Sequence, residues 1–428
     1  MYPQQEPFIL HEFSLLSKHT PYYKEFPLVF TIILNRTSLL FYFQAEWKSI
    51  YLTYIGFLVN KSFRLLTLVS TIALSACASH SVSQSLKQSS TATNISGSLG
   101  WQTENTQLSK DKQQFIAQVA QRYRIPPTDI QKTLAQATYN QQAINLMSPK
   151  QTRKIKKHWE SYRNRFVEPI RIRRGTAFWN TYRQELTQAE QQYGVPAAII
   201  ASIIGIETLY GSNMGSFNLR DVLYSLGFYY PDASRPDKAQ IFRNQLAALI
   251  YLDYTGKLNA NTVKGSFAGA YGMGQFMPVS ILHYAVDADH DGKIRLDSSV
   301  KDAIASVANF LVKHGWQTHM PVFAPANLPK SPASLVDGGL DPSLSWEQLK
   351  AHGATSAFQH ANWQQGKVLG VIDLRNDVSG QHQYRTATQN FFAITKYNRS
   401  YFYATAVTDL ATELALQQKA LGYQVTMP

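Results

Sequence analysis

The feature that most constrains how this chain can fold is the almost wholly apolar stretch Gly194-Val-Pro-Ala-Ala-Ile-Ile-Ala-Ser-Ile-Ile-Gly-Ile-Glu-Thr-Leu-Tyr-Gly211. Pro196 suits a first helical position and Gly211 a position just past the end, so the segment predicts a helix of about four turns. Up to Thr208 its polar side chains are Ser202, Glu207 and Thr208. A helix apolar all round belongs inside a domain, and an ionised Glu there is costly unless it is paired or neutral. No Lys or Arg stands three or four residues from Glu207. The helix C-terminus disfavours negative charge as well, and both effects push a carboxyl pKa upward. Glu207 is therefore a candidate general acid. A Glu that reaches solvent at the helix end, or one satisfied by a distant Arg, is the alternative.

The chain is long enough, at 428 residues and 44% hydrophobic, to bury one large core or two, and 12% aromatic content argues against disorder. A formal charge of +13 suits a polyanionic partner: nucleic acid, anionic lipid or a wall polymer. Much of the excess lies in Lys150 to Arg174, which also reads as a solvated helix face. No zinc-finger spacing or RNA-binding aromatic signature accompanies it, so no nucleic-acid partner is expected. The single cysteine excludes an internal disulfide and a cysteine-based metal cluster.

Cys77 ends Lys61-Ser-Phe-Arg-Leu-Leu-Thr-Leu-Val-Ser-Thr-Ile-Ala-Leu-Ser-Ala-Cys77, a basic start, an apolar run and small residues at a cleavage point. Its ending, Leu74-Ser75-Ala76-Cys77, resembles a bacterial lipobox. That resemblance implies a signal peptide over 59–76, a lipid on Cys77 and a periplasmic protein anchored to the outer membrane, which Ala78 would favour over the inner one. A secretory signal is normally N-terminal, so residues 1–58 read as a non-native extension, with Val59 as the expected start. Residues 77–109, rich in Ser, Thr, Gln and Asn, read as a flexible tether.

From Asp111 the pattern is helical: Phe115, Ile116, Val119 and Tyr123, then a break at Pro126-Pro127, with Thr128 expected to cap the next helix. Helices are expected over Trp159 to Phe166, Thr176 to Tyr193, Asp221 to Leu226 and Gln240 to Tyr254, and no solenoid repeat is visible. Residues 321–390 differ, with Pro and Gly punctuation, one short helix (Trp346 to His352) and β-like runs at Gly366 to Asp373 and, just beyond, Phe391 to Thr395. The expected fold class is mostly α (α+β): a helical core over 110–320, a small β-containing insertion over 321–390, and a return to the core over 391–428, closed by a helix from Tyr403 to Leu421.

Two further stretches carry chemistry. In Lys264-Gly-Ser-Phe-Ala-Gly-Ala-Tyr-Gly-Met-Gly-Gln-Phe-Met-Pro-Val-Ser280, four glycines among ten residues let backbone approach a ligand. Ser266 and Gln275 offer hydrogen bonds there, and Tyr271 and Phe276 offer stacking faces, a mixture suited to sugar rings; a glycine-rich loop packed on a core is the alternative. No Gly-Lys-Ser/Thr ends it, so a nucleotide site is not expected. Asp287-Ala-Asp289-His-Asp291-Gly292-Lys-Ile294 reproduces the first eight positions of a calcium loop, with side-chain oxygens from Asp287, Asp289 and Asp291, a turn at Gly292 and the Lys293 carbonyl. At position twelve Ser298 replaces the usual bidentate Glu, and Asp302 is the candidate to close the site. A structural Ca2+ is the expected cofactor, with none expected to be catalytic.

Taken in this order, these landmarks make the chain resemble the membrane-bound lytic murein transglycosylase B family over roughly residues 110–420. The matching elements are Gly205-Ile-Glu-Thr208 with Tyr210-Gly211, Gly265-Ser-Phe-Ala-Gly-Ala270 and Gly274-Gln-Phe-Met-Pro278, the Asp-rich turn, Ser306-Val-Ala-Asn309 with His314-Gly-Trp316, and Tyr397-Asn-Arg-Ser400. Tyr271 and Met273 stand in swapped order relative to the family pattern, and Phe310 stands where a Tyr is expected. The resemblance implies a lysozyme-like α-rich core, Glu207 as the sole catalytic acid/base, and Ser266, Gln275, Tyr397 and Asn398 lining a sugar cleft. The implied reaction cuts the β-1,4 bond from N-acetylmuramic acid to N-acetylglucosamine and leaves a 1,6-anhydro end. An ordinary glycosidase needs a second carboxylate; none accompanies Glu207 locally, although Asp253 could arrive by folding. A hydrolytic lysozyme is thus the alternative, and a catalytically silent, lipid-anchored glycan-binding scaffold is the reading from another class. The partners implied are peptidoglycan glycan strands, the outer membrane through the anchor, and cell-wall synthesis complexes.

Overall fold

The computed structural model describes residues 32–35, 38–41, 98–149 and 157–428. The chain divides into a unit over 9–95 and a larger one that contains 96–428. In the smaller unit, β1 (Ile32–Asn35) pairs antiparallel with β2 (Ser38–Phe41), Ile32 opposite Phe41. The signal segment and Cys77, with the rest of the expected extension, lie outside the described residues.

The larger unit is mostly helical and begins earlier than a tether over 77–109 would allow: α1 spans Ser98–Tyr123. Glutamine and lysine are good helix formers, and Phe115 and Val119, both buried, dock the helix on the core and supply the packing that isolated helices lack. Arg124 takes a left-handed φ of 55° and ends it. Helix α2 (Pro127–Ala135) opens with Pro126 at its N-cap position and Pro127 in its first turn, so Thr128 is not the cap.

Helices α3 (Gln141–Met147), α4 (Trp159–Phe166), α5 (Pro169–Thr181), α6 (Arg183–Tyr193) and α7 (Ala197–Thr208) follow. A two-residue strand β3 (Phe217–Asn218) leads into α8 (Leu219–Phe228) and α9 (Pro236–Tyr254), and β4 (Lys264–Gly265) pairs back on β3. Then come α10 (Pro278–Tyr284), α11 (Val300–Lys313), α12 (Trp346–Ala351), an antiparallel hairpin of β5 (Leu369–Asn376) and β6 (Gln381–Thr388), α13 (Gln389–Tyr397) and α14 (Tyr401–Ala420).

The apolar helix read from the sequence is α7, and it forms the axis of the domain. Every residue from Ala197 to Ile206 is buried, as α5, α6, α11 and α14 pack around it. In the middle of the helix the polar Ser202 donates to the Val407 carbonyl of α14 at 2.6 Å, which satisfies the hydroxyl. The helix ends sooner than the position of Gly211 suggests. Leu209 and Tyr210 take left-handed φ values of 50° and 59°, and their amides return to the Gly205 and Ile204 carbonyls at 3.0 and 3.4 Å. Two successive non-glycine residues in this region cost of the order of 1–3 kcal/mol each. Packing offsets that cost: the Tyr210 ring lies across Gly205, where a Cβ would stand 2.5 Å from the ring.

The run Phe391 to Thr395 is helical, inside α13, and not a strand. Thr388 accepts the Asn390 amide at 3.1 Å and caps it, and all five residues are buried. A short apolar run buried on every side has no periodicity to separate helix from strand. A satellite cluster forms beside the main core, in which Trp346 and Trp363 meet edge-to-face at 5.2 Å over Leu349, Leu369 and Val371.

Candidate active site

Glu207 occupies the last turn of α7 and is the residue of that turn that solvent partly reaches, its neighbours Ile206 and Thr208 being buried. Burial of the carboxyl raises its pKa from 4.5 to about 7, and a 2.6 Å hydrogen bond donated by the Tyr403 hydroxyl of α14 to Oε1 opposes part of that rise. The field of Glu207 in turn reaches three phenols, Tyr162 on α4, Tyr397 at the end of α13, and Tyr403. Each is raised above its ordinary pKa, chiefly by burial. The rings of Tyr397 and Tyr403 stack, 12° from parallel. A half-neutral acid thus faces a wall of neutral tyrosines, which no local feature of α7 reveals.

The glycine-rich loop is clamped against this helix end. The Thr208 hydroxyl donates to the Met273 carbonyl at 2.8 Å and accepts the Gly211 amide at 3.0 Å. Gln275 holds a left-handed φ of 51°, and its Nε2 donates to the carbonyls of Gly272 (3.0 Å) and Met214 (3.3 Å), tying the loop to the segment that leaves α7. Strained non-glycine residues of this kind cluster at ligand sites. Gly274 must be glycine: a Cβ there would lie 2.8 Å from the Tyr397 hydroxyl, which donates to the Gly274 carbonyl.

The expected lining residues divide. Gln275, Tyr397 and Glu207 come together around the clamped loop, and Asn398, half-buried, has no side-chain hydrogen bond among the described residues. Ser266 lies 2% exposed inside its own turn, where Oγ accepts the Ala270 amide at 3.0 Å. Tyr271 and Phe276 are not stacking faces. They are 2% and 3% exposed, paired by backbone hydrogen bonds of 2.9 Å in each direction across a tight turn. The Tyr271 hydroxyl donates to Asp297 at 2.7 Å, and Phe276 packs edge-to-face on Phe310 and Tyr397. The loop is short and its glycines bring it flush with the core, so its aromatic side chains turn inward. Phe310 is buried too, stacked on His314. Asp253 accepts the Ala260 amide at 2.9 Å in the turn after α9, and no carboxylate among the described residues contributes to the shift of Glu207.

The sequence gives no hint of Tyr403, 196 positions from Glu207, or of Tyr162, which sits in a basic stretch. Arg171 is a further omission. Its Nε donates to the Gly205 carbonyl at 3.0 Å and its Nη1 to the Arg165 and Phe166 carbonyls, so one guanidinium joins the ends of α4 and α7 that present Tyr162 and Glu207.

The Asp-rich turn closes differently from the expected loop. Oxygens of Asp287, Asp289 and Asp302 converge within 4.8 Å, an all-oxygen set that fits a hard cation. Asp302, in the first turn of α11, is the third converging carboxylate, and Ser298, at position twelve, instead donates to Asp297. Asp291 departs from the expected ligand set: it pairs with Arg295 four residues on and accepts the Lys293 amide at 2.9 Å.

Replacing Tyr403 with Phe removes the hydrogen bond that holds the Glu207 pKa down. The pKa should rise above about 7, and the alkaline limb of a pH–rate profile should move to higher pH. An unmoved limb would show that Tyr403 only packs.

A mostly α domain with a carboxyl of raised pKa at the end of its central helix, facing tyrosines and a glycine-rich loop, is the arrangement of a lysozyme-like glycan-cleaving enzyme. Residues 107–412 match the family model described as the transglycosylase SLT domain, and the chain belongs to that family. It is 37% identical over 311 residues to membrane-bound lytic murein transglycosylase B of Escherichia coli K12, an alignment covering 71% of this chain and 82% of that protein. Among solved structures, catenated lytic transglycosylase SltB1 of Pseudomonas aeruginosa superposes with a TM-score of 0.63 at 36% identity, covering 72% of this chain and 98% of that one. The Escherichia coli lytic transglycosylase Slt35 in complex with calcium gives 0.60 at 36% identity, with 72% and 93% covered.

Proposed function

We propose that Glu207 is the single acid/base of a lytic transglycosylase reaction on peptidoglycan. The observation that carries this reading is the carboxyl raised to about 7 beside the Tyr403 hydroxyl, with no carboxylate among the described residues acting on it. Protonated Glu207 gives its proton to the glycosidic oxygen as the C1–O bond of N-acetylmuramic acid breaks, releasing the 4-hydroxyl of N-acetylglucosamine. The carboxylate left behind, held by Tyr403, takes the proton of the muramic acid 6-hydroxyl as that oxygen bonds to C1. Glu207 ends protonated and no water is consumed. A hydrolytic enzyme would need a second carboxylate to activate water, and a silent scaffold would have no use for an acid held near neutrality.

Asn398 and the side-chain carbonyl of Gln275 offer hydrogen bonds to the sugars, Tyr397 backs the loop through Gly274, and Ser266 shapes it. Asp287, Asp289 and Asp302 hold a structural calcium ion, a reading favoured by their convergence and by the calcium complex of the related Slt35. The protein works in the cell envelope, as the membrane-bound relative does, and Cys77 after the 59–76 signal is its lipid site for the outer membrane. Among the described residues no helix is long and apolar enough to cross a membrane.

Digestion of purified sacculi in heavy-oxygen water tests the chemistry. Mass spectrometry should find unlabelled ends, lighter by one water than hydrolytic products. Labelled reducing ends would overturn the single-acid reading.

A further inference from the structure

Tyr210 stands three residues after Glu207, and the proposed reaction gives it no role. With Leu209 it forms the left-handed turn that folds back on the end of α7. Its ring passes between two helices at positions that only glycine leaves open. A Cβ at Gly205 of α7 would stand 2.5 Å from Cζ and from Oη of the ring, and one at Gly175 of α5 would meet the same hydroxyl and lie 2.8 Å from Cζ. Gly175 is buried, and its Cβ would also come within 2.6 Å of Leu414 of α14. Glycine inside a helix is less stable than alanine, so two of them around a single ring mark a socket. Phe178 on α5 closes it, with the two ring centroids 5.4 Å apart. The ring is thus wedged among the helices that carry Arg171, Glu207 and Tyr403.

Shape holds the ring, not hydrogen bonding: its hydroxyl is buried and has no partner among the described residues. The charges that act on this phenol are those of Arg171 and Glu168. Glu207 instead answers to its own burial and to Tyr403, and its field reaches the phenols of Tyr162, Tyr397 and Tyr403. Any influence of Tyr210 on the acid therefore passes through the backbone of the turn. Glu207 lies just before that turn, and Thr208 and Gly211, on either side of it, fasten the glycine-rich loop at Met273. We infer that Tyr210 is a positioning residue, a plug in the Gly175–Gly205 socket that holds the end of α7 in its strained turn and so sets where the Glu207 carboxyl stands against Tyr403 and the loop. This rests on the reading of Glu207 as the acid.

The test compares Y210A, Y210F and G175A with the wild type, by kinetics on purified sacculi and by thermal unfolding beside the E207Q form of each protein. Emptying the socket in Y210A should relax the turn and let water reach the carboxyl. The value of kcat should fall roughly 10–100-fold with KM little changed, and the alkaline limb should move to lower pH, because a better-solvated carboxyl gives up its proton sooner. Y210F keeps the ring and drops only the unpartnered hydroxyl, so it should recover both kcat and the limb. G175A should reproduce the defect while Tyr210 is present and add nothing to Y210A, where its methyl fits the emptied socket. A folded Y210A with the wild-type kcat and limb would overturn the inference, as would a Y210F as poor as Y210A, or losses from G175A and Y210A that simply add. Should Y210A fail to fold, Y210L decides the same question: it fills space without a planar ring and should show the same loss and shift, and a wild-type profile would overturn the inference. The unfolding gap at pH 8 between each protein and its E207Q form should narrow in Y210A. That gap reads the carboxyl without turnover, so a wild type that forms no anhydro ends would defeat the proposed reaction, whereas an undiminished gap in Y210A would defeat the inference.

Discussion

Glutamine at position 207 will abolish glycan cleavage and at the same time make the protein more resistant to unfolding above neutral pH. General acid–base groups contribute about 10²–10⁴-fold each, and one that serves as both acid and base should lie at or above the upper end, leaving no anhydro ends detectable by mass spectrometry. The stability gain follows from linkage. The folded state holds the Glu207 proton up to about 7, whereas the ordinary carboxyl releases it near 4.5. Below 4.5 both states are protonated and the site imposes no penalty; as pH rises through this window the folded protein must ionise a desolvated carboxyl and loses stability, by up to about 3 kcal/mol above 7. Partial access of solvent to the side chain reduces that figure. Glutamine remains neutral and can still accept from Tyr403. Thermal unfolding of the two proteins at pH 5 and pH 8 should show a gap that opens at the higher pH, and parallel curves would contradict the raised pKa. The same protonation makes kcat/KM of the wild type fall as pH rises through about 7.

Alanine at position 302 will be the most damaging change in the Asp-rich turn. Asp302 is fully buried, and its two oxygens accept the amides of Ala288 and Arg295, each at 2.9 Å. Truncation strands both donors and removes the carboxylate that closes the candidate cation site. The expected cost is about 3–5 kcal/mol, together with loss of any rise in unfolding temperature on adding calcium. Asp291→Ala should cost under about 1 kcal/mol and keep the calcium response, because that side chain is spent on a solvent-exposed pair with Arg295. Calorimetric scans with calcium and with chelator separate the two. A calcium response surviving in D302A but lost in D291A would restore the ligand set expected from spacing.

What the chain's sequence determined by itself was whatever short-range pattern encodes. The apolar run that becomes α7 reads as a buried helix, and a lone carboxylate in it reads as costly unless neutral or paired, so Glu207 stood out as a candidate from the sequence. The glycine spacing that lets the loop reach Gly274 and the alternation of Asp287 and Asp289 about a Gly292 turn were legible for the same reason, since backbone freedom and ligand spacing are local properties. Tertiary structure alone decided which groups meet across long separations. It put the Tyr403 hydroxyl on Glu207, turned Tyr271 and Phe276 into the core, drew Asp291 away to Arg295 and made Asp302 the third converging carboxylate. It also made a helix of Phe391 to Thr395, where burial on every side erases the periodicity from which secondary structure is read. The pKa of Glu207 belongs to both levels: the helix end supplies the desolvation, and a phenol from α14, brought in only by folding, sets how far it goes.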